Sequence, residues 1–231
     1  MADIETISIL PFSTVIYDGL SVRIYRLSVC LSNAASEPLI AQSERRASTI
    51  TAILNGARAL FLAQGFANTS VDAIAFEAGV GKGAVYHHFA SKEEVLDRLV
   101  DAMQGEIAVD VVATAQRGKD MLDSIGRGTF KYLTAITAPG AKRILLIDGP
   151  AVLGWERWRE IDHKYFSALM RGPLDAHLRE RLNERDVQAV GHLIAGAMME
   201  AALVCATSDK PERTARDMTN GLLFLLKPLL A

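Results

Sequence analysis

Residues 69–89 read TSVDAIAFEAGVGKGAVYHHF and carry the most informative pattern in the chain. A first short helix can be capped by Thr69 or Ser70 and is stopped by Gly79-Val80-Gly81. Gly79 supplies the positive φ that a tight turn needs. A second short helix follows from Lys82 to His88. Two short helices joined in this way predict a helix-turn-helix, in which the second helix enters the major groove of DNA.

The second helix has residues that suit a DNA-recognition helix. Its first residues are basic or small, so its backbone N–H groups can approach a phosphate; these residues are Lys82, Gly83 and Ala84. Its last turn offers hydroxyl and imidazole groups to phosphates and base edges, from Tyr86, His87 and His88. Phe89 turns back to the core, and Lys92 lies where it can contact a phosphate from outside the groove. For the histidines the alternative is a surface or core role, which stays open for His88.

A phosphate-binding loop is the competing interpretation of Gly79-Val80-Gly81-Lys82-Gly83. It fails because Phe76 occupies the first required glycine position and no Ser or Thr follows Lys82. A helix rather than a strand also precedes the glycines.

Helical periodicity extends outward from this segment. An apolar face recurs from Ser43 to Gln64, where Gly65 is a C-cap signal. Ser91 and Glu94 form a capping box before a long amphipathic helix. Further helices are predicted at Met121–Ile136, Ala141–Asp148, Ala151–Met170, Leu174–Leu182, Val187–Thr207 and Arg213–Leu226. The sequence therefore predicts an all-α fold.

Residues 1–44 differ from the rest, since no helical period persists there. Short strands are conceivable at Ile7–Leu10 and Val22–Tyr25, although two isolated strands are marginal in water. A poorly ordered extension is the favoured interpretation.

Composition narrows the class of protein. The 231 residues are 50% hydrophobic and 23% charged, which excludes a disordered chain. The net charge of −2 gives no global case for nucleic-acid binding, so any basic surface must be local. The apolar runs Val187–Met199 and Met218–Leu226 are shorter than the ~18 residues of a membrane span. The N-terminus lacks the basic start of a secretory signal, and Cys30 and Cys205 have no metal spacing, so we expect a cytoplasmic protein with free thiols and no membrane partner.

The motif resembles a known family. The stretches FANTSVDAIA at 66–75, AGVGKGAVYHHF at 78–89 and SKEEVL at 91–96 are similar in order, spacing and residue type to the DNA-binding domain of TetR-family transcriptional repressors. The resemblance covers roughly residues 45–95. It implies a DNA-binding domain at 45–92 and a helical effector-binding and dimerisation domain at 93–231. By carry-over it assigns DNA contact to Thr69, Lys82, Gly83, Ala84, Tyr86, His87 and Lys92.

Two departures from the family qualify this assignment. Gly83 and Ala84 often have a hydroxyl counterpart, so base readout here leans on Tyr86 and His87. Residues 41–94 also hold five basic and five acidic side chains, so we expect modest non-specific binding with a shallow salt dependence.

The last two predicted helices offer a dimer surface. The segment Val187–Thr207 is apolar or small on nearly every side, and an apolar run, 222–226, follows in the last helix. A helix that is apolar on every side must be covered on every side. The resemblance implies that the equivalent helices of two subunits form a four-helix bundle; the alternative is burial within one subunit. The expected interface residues are Val190, Ile194, Ala197, Met198, Ala201, Leu222 and Leu225.

The segment from Asp148 to Trp158 allows two interpretations. Trp155 and Trp158 are three residues apart and hence on one helix face. Together with Arg157 and Met198 they predict an apolar effector pocket with a polar anchor. The alternative, slightly favoured, is a packing motif that ties this helix to the one before it, with Glu156 and Glu160 paired to arginines.

These observations favour a homodimeric DNA-binding regulator, a repressor released from operator DNA by an unknown small molecule. An activator or an interaction module without ligand control is the alternative. An enzyme is disfavoured because the sequence lacks a Gly-x-Ser-x-Gly elbow, a His-Glu-x-x-His motif and paired cysteines with metal spacing. No cofactor is implied.

Overall fold

The computed structural model describes residues 15–17, 22–24, 37–167, 174 and 176–230. Near the start, strands β1 (Val15–Tyr17) and β2 (Val22–Ile24) pair antiparallel, with Val15 opposite Ile24. The strand predicted at Val22–Tyr25 thus appears as β2. The strand predicted at 7–10 and Cys30 lie outside the described residues.

Three helices form the head. They are α1 (Glu37–Gln64), α2 (Val71–Glu77) and α3 (Lys82–His88). Helix α1 begins six residues before the predicted Ser43. Pro38 is compatible with this start, because it lies in the first turn, where a missing N–H costs no helical hydrogen bond. The buried side chains of the three helices meet in one core with Ile53, Phe61, Ile74, Val85 and Phe89.

Two long helices connect the head to the rest of the protein. Helix α4 (Lys92–Ala115) starts beside the head, and α5 (Met121–Ile136) packs back along it, with the bounds that the sequence predicted for α5. The head core continues without a break into this domain, where it includes Met103, Tyr132 and Leu133. The head is therefore packed against the second domain rather than tethered to it.

The chain between residues 139 and 167 departs from the predicted pair of continuous helices. Short α6 (Pro139–Lys142) runs into a π-helical turn, Arg143–Asp148, which is followed by α7 (Gly149–Leu153). Gly154, at φ +81°, then ends α7. It is followed by α8 (Trp155–Asp162) and a second π segment, His163–Ser167. Residues 168–170 of the predicted helix lie outside the described residues.

The final helices are α9 (Glu184–Thr207) and α10 (Pro211–Leu230). Both predicted helices are confirmed and longer than expected. Asn183 caps α9, because its side chain accepts from the Asp186 N–H at 3.1 Å. By length and composition α9 is also apolar enough to cross a membrane. One face nevertheless packs inside the protein through Val187, Ile194, Ala201, Ala202 and Cys205.

Candidate nucleic-acid interface and its supporting domain

The turn between α2 and α3 has the geometry expected of a helix-turn-helix. Ser70 caps α2 by accepting from the Ala73 N–H at 3.1 Å. Gly79 has a φ of +66°, which favours glycine over residues with a Cβ. Gly56 is a further glycine of the head that its sequence pattern did not reveal, since an added Cβ there would lie 3.1 Å from the Ala78 nitrogen. Helix α1 and the end of α2 therefore approach closely at a glycine.

One face of α3 is open to solvent. Val85 is 1% exposed and anchors the opposite face in the core, next to Phe89 beyond the end of the helix. The exposed residues are Lys82, Gly83, Tyr86 and His87, and Ala84 is half-buried. Because these positions recur at three and four residues, they lie on one side of the helix. Tyr86, at 51% exposure, is the large aromatic of this face.

His88 lies at the edge of the core rather than on this face. Its ring is half-buried, and its Nδ1 is buried with no hydrogen-bond partner in the described structure. Burial, followed by the charges of His87 and Arg46, lowers the pKa of His88 below its ordinary value. Of the two alternatives left open for His88, its half-buried ring favours packing at the edge of the core, and its contact with DNA stays a prediction.

Lys82 is exposed but already has a partner. Its ammonium donates to Asp72 Oδ2 at 2.8 Å, across the turn between α2 and α3. This hydrogen bond raises the pKa of Lys82. A carboxylate beside the expected phosphate contact offsets part of its positive charge, in keeping with the even balance of charges in the head.

Thr69 and Lys92 differ from expectation. Thr69 is 2% exposed, and its hydroxyl donates to the Gly65 carbonyl at 2.8 Å. Lys92 donates to the carbonyls of Phe66 and Thr69, both at 2.8 Å, and its nitrogen lies 4.1 Å from the centre of the Phe66 ring. Both side chains hold the segment between α1 and α2 through these hydrogen bonds, and their assigned DNA contacts stay predictions. Sequence could not reveal these carbonyl partners.

The capping box predicted at the start of α4 is present with one change. Ser91 accepts from the Glu94 N–H at 3.2 Å, as expected. The carboxylate of Glu94 reaches back to the N–H of Ala90 at 2.6 Å, one residue before the cap. The start of α4 is therefore fixed directly after α3.

The π-helical turn 143–148 contacts the head. Asp148 Oδ2 accepts from the backbone N–H of Phe66 at 3.2 Å, and Arg143 approaches the same carboxylate at 3.8 Å. The Arg143 guanidinium also fills the space beside Gly65, where an added Cβ would lie 2.1 Å from it. The segment between α1 and α2 is thus held by Lys92 from α4 and by Asp148 from the second domain.

The tryptophan segment supports the packing interpretation. Trp158 is 1% exposed, and its indole N–H donates to the Leu145 carbonyl at 2.6 Å, so it ties α8 to the π-helical turn. Arg157 binds Asp97 of α4 at 2.6 and 3.0 Å and Glu160 at 3.0 Å. Trp155 is 53% exposed and stacks on Trp158. These contacts support a structural role for Trp158 and Arg157, and the effector pocket stays a prediction. Met198 is half-buried and packs against two groups of buried apolar side chains, one with Met103 and Leu133 and the other with Leu178 and Leu222.

A buried polar cluster in the second domain was missed. Gln104 of α4, Tyr132 of α5 and Asp162 of α8 are 0%, 2% and 8% exposed. The Gln104 amide and the Tyr132 hydroxyl each lie 3.4 Å from Asp162 Oδ1. The sequence contains one usable signal, since Gln104 interrupts the apolar face that runs through Val100, Met103 and Ile107.

The predicted dimer residues fall into two groups. Ile194, Ala201 and Leu222 are buried within the single chain, where they pack in its core, and their part in a dimer interface stays a prediction. Val190 and Met198 are half-buried, whereas Ala197 and Leu225 are exposed. The large exposed apolar side chains of α9 and α10 are Leu193, Leu203, Phe224 and Leu225, at 74%, 41%, 78% and 66% exposure. This set, with Gly196, Ala197 and Gly221, is called the α9–α10 face below.

Comparisons with known proteins agree with this architecture. The family described as "Bacterial regulatory proteins, tetR family" matches residues 53–99, and "Tetracyclin repressor-like, C-terminal domain" matches residues 122–229. The Transposon Tn10 TetC protein of Escherichia coli is 28% identical over 167 residues, which are 70% of this chain and 82% of TetC. The transcriptional repressor KstR2 of Mycobacterium tuberculosis is 48% identical over 48 residues, 21% of this chain and 24% of KstR2.

Solved structures show the same fold. A TetR-family transcriptional regulator from Pectobacterium atrosepticum has a TM-score of 0.65 and 27% identity, over 81% of this chain and 97% of that one. The match reaches well beyond the head, into the helical domain that carries α9 and α10. Together with the exposed face of α3, these similarities show that the chain is a DNA-binding transcriptional regulator and belongs to the TetR family.

Proposed function

We propose that the protein is a homodimeric, cytoplasmic repressor that binds operator DNA through α3 and leaves it when a small molecule binds the second domain. The observation that carries the proposal is the exposed face of α3, with Lys82, Gly83, Tyr86 and His87, mounted on a buried and internally hydrogen-bonded head. The proposal assigns no catalytic step to the chain, because TetR-family regulators act by binding.

The short length of α3 supports pairing of two chains. One α3 spans seven residues and reads only a few base pairs. Two copies related by a two-fold axis can enter successive major grooves, roughly 34–36 Å apart. The α9–α10 face supports this pairing, since it leaves large apolar side chains uncovered.

The contacts that α4 and the π-helical turn make with the head support release by an effector. Helix α4 has 24 residues and is therefore about 36 Å long. Its first residue, Lys92, holds the head, while Gln104 and Ile107 lie in the core of the second domain. An effector that shifts α4 or the π-helical turn changes the spacing of the two heads. By linkage, operator and effector then weaken each other's binding by the same factor.

Operator binding tests this function through Tyr86. Purified protein is expected to retard a labelled duplex from the region upstream of its own gene, and not a scrambled duplex. Tyr86→Ala should weaken binding by at least about tenfold, because it removes a contact from the centre of the exposed face. Fluorescence anisotropy measures the affinity, and sedimentation confirms an unchanged oligomeric state.

The matched control is Lys119→Ala, an exposed substitution in the connection between α4 and α5. It should leave operator affinity unchanged. Equal binding by wild type and Tyr86→Ala would mean that α3 is not the reading head.

A further inference from the structure

The buried cluster of Gln104, Tyr132 and Asp162 is unusual for a helical core. Its members come from α4, α5 and α8, and no more than 8% of any of them is exposed. Their neighbours on the same helices, including Met103, Leu133 and Ile161, belong to the main hydrophobic core. Asp162 is also the last residue of α8, directly before the π segment His163–Ser167. Such π segments occur frequently at functional sites.

The cluster has more acceptors than donors. Asp162 receives two hydrogen bonds, and both are long at 3.4 Å. Gln104 Oε1 is buried without a hydrogen-bond partner, and so is Thr129 Oγ1, one turn before Tyr132 on α5. Among the ion pairs of the described residues, none includes Asp162. The charge of Arg159 acts on Asp162 only as the smallest of the effects that oppose burial. A buried carboxylate outside any ion pair and a buried acceptor without a donor are both costly, so the described residues leave this cluster incomplete.

We propose that this cluster is the polar end of the effector site, and that the effector is an organic cation, an amine on an apolar skeleton. The ammonium donates to Asp162 and to Gln104 Oε1, and the apolar part lies among the surrounding core side chains. This inference rests on the proposed release by a small molecule and names the chemical class of that molecule.

Other effector chemistries fit the cluster less well. An anion would meet the Asp162 carboxylate in a medium of low polarity, where like charges repel strongly. A neutral alcohol can donate one hydrogen bond but leaves the carboxylate without a counter-charge. Burial raises the pKa of Asp162 to about 6, so at neutral pH this carboxyl is mostly ionised and attracts a cation. Burial also raises the pKa of Tyr132, which keeps its hydroxyl as a donor to Asp162.

Binding of matched probes to the full-length protein tests the inference. The probes are the phenylalkylamines from benzylamine to 5-phenylpentylamine, each compared with the alcohol and the carboxylic acid of the same skeleton. Titration calorimetry and thermal shift are measured without DNA, and operator affinity is then measured by fluorescence anisotropy with and without each probe. We expect at least one amine to bind and to stabilise the protein, with the matching alcohol at least tenfold weaker and the acid inactive.

Two variants separate recognition from folding. Asp162→Asn keeps the size of the side chain and removes its charge, so it should weaken amine binding at least tenfold and leave alcohol binding unchanged. The control is Asp101→Asn, which alters a carboxylate of α4 that pairs with Lys164 at 2.7 Å. It should bind the amine as the wild type does.

The outcomes are distinct for this inference and for the proposed function. No stabilisation by any amine, equal binding of amine and alcohol, or unchanged amine affinity in Asp162→Asn would each overturn the cation site. Amine binding that follows this pattern but leaves operator affinity unchanged would support the site and contradict release by the effector. Release of operator DNA by a neutral compound, and by no amine, would support release by an effector and contradict the cation site.

Discussion

At the scale of single residues, Asp162 makes stability depend on pH. Its pKa is raised from the ordinary 3.8 to about 6, first by burial, against the smaller opposing effects of Tyr132, Gln104 and Arg159. The folded state therefore holds a proton more tightly than the unfolded state. Stability from this group is fully present below about pH 4 and is lost as the pH rises through about 6.

Asp162→Asn should remove this loss. A pKa difference of about two corresponds to about 3 kcal/mol in total, of which about 2 kcal/mol falls between about pH 4.5 and about pH 7.5. Urea denaturation at these two pH values should show the wild type losing that much relative to the variant. Parallel pH profiles for the two proteins would show that the carboxylate is not desolvated in the folded state.

The two lysines of the head show why charge alone does not identify DNA contacts. The sequence predicts DNA contact for both, Lys82 at the start of α3 and Lys92 with a phosphate from outside the groove. Lys82 is exposed and paired with Asp72, whereas Lys92 donates to two backbone carbonyls. Carbonyl acceptors are present at every residue and leave no trace in the sequence, so only the folded chain separates the two roles.

At the scale of elements, the π-helical turn 143–148 joins the second domain to the head. Asp148→Ala removes the acceptor of the Phe66 N–H, which then lacks its partner at 3.2 Å. We expect hydrogen exchange at the Phe66 amide to become at least about tenfold faster, since an opening that costs about 1.4 kcal/mol less is ten times more frequent. Exchange measured by NMR or by mass spectrometry of peptides containing Phe66 checks this.

The control for this prediction is Asp97→Ala, which breaks the pair between α4 and Arg157 within the second domain. Its effect should stay at α8 and leave exchange at Phe66 as in the wild type. If both variants accelerate exchange at Phe66 equally, the π-helical turn has no particular hold on the head.

The elements differ in how far sequence predicts them. The bounds of α3 and α5 and the role of Gly79 follow from local signals, which are caps, apolar periodicity and one glycine conformation. The π-helical turn does not, because its register is set by the Trp158 bond to Leu145 and by Asp148 at the head. The cluster around Asp162 joins three helices, and no spacing within a single helix predicts such a meeting.

At the scale of the whole molecule, α9 explains why periodicity does not separate dimer residues from core residues. A helix that is apolar on every side gives no sign of which face meets its own core. Ile194 and Ala201 turn inward, while Leu193 and Leu203 face solvent one position earlier and two positions later. Glycines Gly191, Gly196 and Gly221 have open space where a Cβ would lie, so a second backbone can approach closely there.

Phe224→Asp tests whether the α9–α10 face joins two chains. Phe224 is 78% exposed in the single chain, so a carboxylate there costs the folded monomer little. Within a dimer the same carboxylate would be buried in an apolar interface without a partner, which is strongly unfavourable. Sedimentation velocity should therefore show a folded monomer, and operator affinity should fall because one head alone contacts a single half-site.

The control is Phe76→Asp, which changes an 87% exposed phenylalanine of α2 in the head and should remain dimeric. A dimeric Phe224→Asp would place the subunit interface on another surface, and the two reading heads would then need a different spacing.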